Sequence, residues 1–193
     1  MNLLETPGER LLEAVRGLLI AKGITDDAEI AERIRITDRA SPALGAAMVA
    51  RAWTDPEFRK LMLADGTRAA ESMDIPMRGL PPLGVLENTV DIHHLVVCTL
   101  CSCYPRAVLG YPPFWFKSAA YRARAVRDPR GLLADWGTTL PESVKLRVVD
   151  STADYRWMAL PLRPAGTEDW PAQRLAGIVR EGDMIGVTVP SAG

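Results

Sequence analysis

The chain has 193 residues, 48% of them hydrophobic and 24% charged, and carries a formal net charge of −1. That provides a core for one domain with an appended segment, but no general positive field for nucleic acid or an anionic membrane. No apolar run reaches the length of a bilayer span, and the first ten residues lack the basic-then-apolar order of a secretory signal, so the cytoplasm is the expected compartment.

The first third reads as helical. Leu11, Leu12, Val15, Leu18 and Leu19 recur at helical spacing, and Lys22-Gly23 supplies a stop. Thr25-Asp26-Asp27 caps a second helix carrying Ile30, Ile34 and Ile36. A third begins at Ser41-Pro42, a fourth at Asp55-Pro56, and Thr67 is positioned to cap a further turn through Ala69 and Ala70. These helices form either a small bundle or an arm that packs on another subunit, because periodicity gives an apolar stripe but not its partner.

From Gly79 the texture changes. Leu80-Pro81-Pro82-Leu83-Gly84 is a joint, and Val85–Thr89 and Ile92–Val97 have strand composition. Pro105, Gly110, Pro112 and Pro113 keep the next stretch irregular. Ser118–Val126 and Pro129–Trp136 read as helices, and Val144–Asp150 and Tyr155–Leu160 as strands. Trp170–Arg180 reads as a helix, and Met184–Val189 as a last strand. The fold class is α/β (α+β): an N-terminal helical arm over residues 1–78 and a layered globular part over 79–193.

All three cysteines fall within Cys98-Thr99-Leu100-Cys101-Ser102-Cys103. This is no disulfide framework. Structural zinc wants a fourth ligand, which His93 or His94 would have to supply, and an iron–sulfur cluster normally takes four cysteines. A thioredoxin-like pair would open a helix, yet here Ser102, Tyr104 and Pro105 continue a loop. The remaining possibility is a catalytic metal held by three sulfurs and by the peptide nitrogens between Cys101 and Cys103, should those amides deprotonate. Such an ion would keep a position free for water or substrate.

Val97-Cys98-Thr99-Leu100-Cys101-Ser102-Cys103-Tyr104-Pro105 resembles the metal-binding motif of the nitrile hydratase alpha subunit, which the gamma subunit of thiocyanate hydrolase shares. The likeness continues through Val108-Leu109-Gly110, Trp115-Phe116-Lys117-Ser118, Tyr121-Arg122-Ala123-Arg124, Arg147–Ser151, Arg163–Glu168 and Met184–Val187. It implies a helical arm joined to an α-β-β-α globular part. It also implies non-corrin cobalt(III), or alternatively iron(III), held by Cys98, Cys101 and Cys103 and by the backbone nitrogens of Ser102 and Cys103. Cys101 would be a sulfinic and Cys103 a sulfenic acid, the latter acting as base or nucleophile, with Ser102 helping to orient a nitrile. Thr99 is similar to the cobalt-type variant. The likeness further implies a beta-type partner subunit contributing arginines, and a cobalt-delivery activator protein.

One position departs from the hydratase pattern. Where most members place Trp and Pro after Tyr104-Pro105, this chain has Arg106-Ala107. Thiocyanate hydrolase is similar here, and an anion would suit the charge. Arg106 and Tyr104 are therefore the candidate substrate contacts, and the resemblance makes Arg156 a supporting residue behind the metal. On a strand His93 and His94 point to opposite faces, so at most one faces the loop. Arg122, Arg124, Arg127 and Arg130 lack interleaved stacking aromatics and suit a subunit interface better than nucleic acid.

Overall fold

The computed structural model describes residues 6–192; Met1–Glu5, part of the stretch weighed above as a leader, and Gly193 lie outside them. The chain divides between Arg39 and Ala40 into two compact units. The first contains α1 (Pro7–Ala21) and α2 (Asp27–Arg39). Thr6 and Glu9 close a capping box on α1: the Thr6 hydroxyl accepts the Glu9 N–H, and the Glu9 carboxylate accepts the Thr6 N–H at 2.6 Å. Gly23 then leaves the helix with φ +64°, a left-handed turn that Lys22-Gly23 predicts. Asp26 caps α2 by accepting the Glu29 N–H at 2.8 Å. Neither helix buries a residue, and Leu11, Leu12, Val15, Leu18 and Ile34 stay exposed.

The second unit opens with α3 (Pro42–Thr54), α4 (Pro56–Ala64) and α5 (Gly66–Glu71). The Asp55 carboxylate accepts the N–H groups of Glu57 and Phe58, and Asp65 accepts that of Arg68. Asp65 therefore does the capping expected of Thr67. The Thr67 hydroxyl instead accepts the Leu83 N–H at 2.9 Å and ties α5 to the first strand. There follow β1 (Leu83–Glu87), β2 (Ile92–Val97), the one-turn helices α6 (Arg106–Leu109) and α7 (Phe114–Lys117), then α8 (Ala119–Arg127) and α9 (Pro129–Asp135). The chain continues with β3 (Lys145–Asp150), β4 (Arg156–Leu160), α10 (Ala172–Ala176) and α11 (Glu181–Ile185).

Strands pair across long stretches of chain. β1 lies parallel to β4, with Leu83 opposite Arg156, and β2 lies parallel to β3, with Val97 opposite Asp150. β1 meets α4 and α5 while β4 meets α11. The two strand pairs meet each other through β1, β2 and β4, and α8 and α9 cover β2 and β3. The order is α-β-β-α, the layered mixture expected. β2 is buried along almost its whole length, which explains its nearly continuous apolar run. Met48, Met62, Leu95, Leu109, Phe116, Met158 and Met184 are fully enclosed, each contributing about 1.5–3 kcal/mol.

The Arg163–Glu168 segment serves as a clasp. The Arg163 guanidinium donates to the Trp53 carbonyl at 3.0 Å, the Thr167 hydroxyl at 3.2 Å and the Glu168 carbonyl at 2.9 Å. Trp53 returns an indole bond to the Pro161 carbonyl at 2.9 Å. This fixes the end of the chain to α3.

Three sequence expectations change. The strand expected over Met184–Val189 is absent, and that segment begins inside α11. The Asp183 carboxylate accepts the Arg180 N–H at 2.8 Å and starts the helix. Gly186, at φ +86°, ends it against β2, where a Cβ would stand 1.9 Å from the His94 carbonyl oxygen. The helix expected over Trp170–Arg180 contracts to Ala172–Ala176. The proline-rich stretch after the cysteines contains α6 and α7 rather than continuous loop. Among the described residues no helix is long and apolar enough to cross a membrane.

Candidate metal centre and its cavity

The cysteine loop leaves the end of β2, and the β2–β3 register decides what holds it. Asp150 closes β3 opposite Val97. Its carboxylate therefore reaches the next turn, accepting the Thr99 N–H at 2.9 Å and the Thr99 hydroxyl at 2.5 Å. From α8, Arg122 donates to the Leu100 carbonyl at 2.9 Å, and Tyr121 donates to the Val96 carbonyl at 2.7 Å. The Leu100 side chain, 87% exposed, marks the outer tip of the loop.

Within this frame the three sulfurs converge to within 4.8 Å of one another. Cys98 Sγ lies 3.5 Å from Cys101 Sγ, which lies 3.2 Å from Cys103 Sγ, and the Cys101 N–H points at Cys98 Sγ at 3.3 Å. Cys98 and Cys103 are buried and Cys101 is exposed. As thiols the group is electrostatically uneven. Hydrogen bonds from Cys103 and Cys98, then from the Ser102 amide, hold the Cys101 thiol below its ordinary range. Burial, together with hydrogen bonding to Cys101, pushes the Cys103 thiol up to about 12, a rise that nearby Arg156 partly opposes. Among the described residues this is the one cluster of three or more side chains placed to ligate a metal. Three soft donors on one loop suit a thiophilic transition-metal ion.

A cavity of about 530 Å³ opens over the loop, and Cys101, Ser102, Cys103, Tyr104, Arg106 and Arg156 all line it. Of the expected metal ligands, substrate contacts and supporting arginine, only Cys98 is not on the wall. Its sulfur lies behind that of Cys101, within the core cluster. Tyr104 is 2% exposed. Its ring meets Phe116 edge-on with centroids 4.9 Å apart, and its hydroxyl donates to Glu181. Burial pushes the Glu181 carboxyl up. The Arg106 guanidinium lies 4.4 Å from the centroid of the Tyr111 ring. Arg156 has a buried Nη1 with no hydrogen-bond partner. A buried guanidinium N–H without an acceptor is costly, so an acceptor arriving in the cavity would relieve it.

The histidines are engaged elsewhere, and Asn88 explains both. Asn88 donates from Nδ2 to His93 Nδ1 at 3.3 Å, and His93 Nε2 donates to the Gly186 carbonyl at 2.8 Å. Asn88 Oδ1 accepts the His94 N–H at 2.8 Å and His94 Nδ1–H at 3.1 Å. This network assigns one neutral tautomer to each ring, and burial lowers both basicities. His93 is engaged at both ring nitrogens and His94 at Nδ1, and neither ring joins the sulfur cluster.

Sequence reasoning overlooked Asp150, Asn88, Tyr111, Lys117 and Glu181. Asp150 closes an expected strand, and Asp150 and Lys117 both fall within the segments of likeness. The Tyr104–Glu181 contact spans 77 positions and leaves no local trace.

The family model "Nitrile hydratase, alpha chain" matches residues 6–188. The chain is 46% identical to the alpha subunit of the low-molecular-weight cobalt-containing nitrile hydratase of Rhodococcus rhodochrous, over 93% of this chain and 87% of that one. It is 40% identical to thiocyanate hydrolase subunit gamma of Thiobacillus thioparus, over 96% and 81% respectively. A solved recombinant thiocyanate hydrolase with partially modified cobalt centres superposes with TM-score 0.87 at 39% identity, covering 98% of this chain and 92% of that one. A double mutant of the Fe-type nitrile hydratase from Comamonas testosteroni Ni1 gives TM-score 0.82 at 39% identity, covering 95% and 90%.

Proposed function

Because the chain belongs to the nitrile hydratase alpha-chain family, we propose that it is the metal-bearing subunit of a cobalt-type nitrile hydratase. The observation that carries this reading is the convergence of three cysteine sulfurs within 4.8 Å beside a cavity that two of those cysteines line. Cys98, Cys101 and Cys103, with the backbone nitrogens of Ser102 and Cys103, would hold a trivalent ion. Thr99 and the cobalt-containing relatives favour cobalt over iron. When bound, that ion supplies Lewis acidity, which makes a nitrile carbon electrophilic.

This chain's own groups do the rest. With Cys101 as sulfinate and Cys103 as sulfenate, the Cys103 oxygen acts at the cavity wall as nucleophile toward the nitrile carbon or as base toward water. Ser102, between them on the same wall, orients the substrate, and Tyr104 closes the site beside it. The unpartnered Nη1 of Arg156 is available to steady the oxygen on Cys103. Overall one water adds across the triple bond: carbon gains oxygen, nitrogen takes both hydrogens, and no oxidant is consumed. A beta-type partner would supply further arginines, an activator protein would deliver cobalt, and the complex would work in the cytoplasm.

Metal analysis combined with mass spectrometry of the active complex tests this. The expected result is one cobalt per chain, with two added oxygens on Cys101 and one on Cys103. Active, metal-loaded protein with both cysteines unoxidised would sink the mechanism. A second reading, thiocyanate hydrolase gamma-type chemistry, is favoured by Arg106 and by the likeness to the thiocyanate hydrolase gamma subunit, and turnover of thiocyanate by the purified complex separates the two.

A further inference from the structure

We propose that the substrate is an anionic nitrile, whose carboxylate is bound by Arg106 and Lys117 while its cyano group reaches Cys103; this rests on the hydratase reading above. The cavity wall carries three cations, Arg106, Lys117 and Arg156, and no aspartate or glutamate. Arg156 is accounted for by the cysteines, since its buried, unpartnered Nη1 is the donor assigned above to the oxygen on Cys103. The other two are not. Arg106 lies against Tyr111 at 4.4 Å, and Lys117 Nζ stands 4.9 Å from the centroid of the Phe114 ring. Aromatic faces hold a cation in place without neutralising it. No ion pair among the described residues engages either one.

Two positive charges kept unpaired on a concave wall attract and hold a negative group. The volume, about 530 Å³, lies in the range of pockets that take organic ligands. Met77, Leu80, Pro81 and Leu83 add an apolar stretch to the same wall. That combination fits a molecule with an anionic end, a short hydrocarbon link and a reactive cyano end. Arg106 presents a planar fork matched to carboxylate, and Lys117 a point charge. Arg106, the position that departs from the hydratase pattern, is then the specificity-determining residue for the proposed hydration, and Lys117, in a segment shared with that pattern, adds its charge on the same wall.

The test uses the metal-loaded complex with its partner chain and three probes: 3-cyanopropanoate, the neutral pentanenitrile of similar length, and thiocyanate. The expected kcat/KM for 3-cyanopropanoate exceeds that for pentanenitrile at least tenfold, through a lower KM that rises with ionic strength. In Arg106→Gln that ratio should fall at least tenfold, and Arg106→Lys should restore part of it. Should the Gln variant fail to assemble, the ionic-strength dependence of the two KM values in the unaltered complex carries the test alone. Hydration of both nitriles with equal kcat/KM overturns the inference and leaves the hydratase reading standing. So does turnover of thiocyanate as the sole preferred anion while neutral nitriles are still hydrated. Turnover of no nitrile at all overturns both.

Discussion

Helices α1 and α3 have nearly the same length, 15 and 13 residues, and both place proline in the first turn. They end up in opposite circumstances. α1 carries a stripe of large residues, Leu11, Leu12, Val15 and Leu18, and buries none of them. α3 buries Gly45, Ala46, Met48, Val49, Ala50 and Ala52, a mostly small-residue face that lets neighbours approach closely. A prominent leucine stripe signals that something apolar must cover it, not that this chain does so. The quieter face of α3 marks where the chain packs on itself, and the cysteine loop belongs to the unit that such packing builds.

That contrast predicts that function, fold and assembly fail separately. The largest effect is expected for Cys103→Ala, which should reduce turnover of the assembled enzyme to background while far-ultraviolet circular dichroism stays native. Retained activity would remove Cys103 from the mechanism. Next comes Gly186→Ala. Its φ of +86° and the 1.9 Å approach of a Cβ to the His94 carbonyl oxygen should cost about 3 kcal/mol in urea unfolding, through combined strain and overpacking. A change below about 1 kcal/mol would show that α11 shifts freely and is not fixed against β2. The smallest effect on stability is expected in α1. Leu11→Ser with Leu18→Ser should move the chain's own unfolding by no more than about 0.5 kcal/mol. The same pair should weaken its association with a beta-type partner in sedimentation experiments. Strong destabilisation of the isolated chain would erase the contrast between the two helices.

Much of this was legible where the cause is local. Asp55 and Ser118 begin helices because their oxygens accept N–H groups two or three positions on. The cysteine cluster is legible as a set of metal-capable donors because all three sit on one short loop. Illegible features depend on distant partners. Met184–Val189 has strand composition, yet the left-handed Gly186 and the Asp183 cap impose a helix and then a turn. Thr67 looks like a cap, but β1 supplies a competing N–H. Lys117 reads as part of an aromatic run, and only the folded chain brings it into the cavity with Arg106.

The clasp between Thr99 and Asp150 spans 51 positions, and it exists only because β2 and β3 lie in parallel register. Long-range parallel pairing forms slowly, since loop-closure entropy must be overcome before contacts compensate for it. A nascent chain that has emerged only as far as α9 already has all its cysteines but lacks the strand that holds their loop. The three sulfurs therefore acquire their shared geometry late in synthesis, and a metal held by them would report that the second half of the chain has folded.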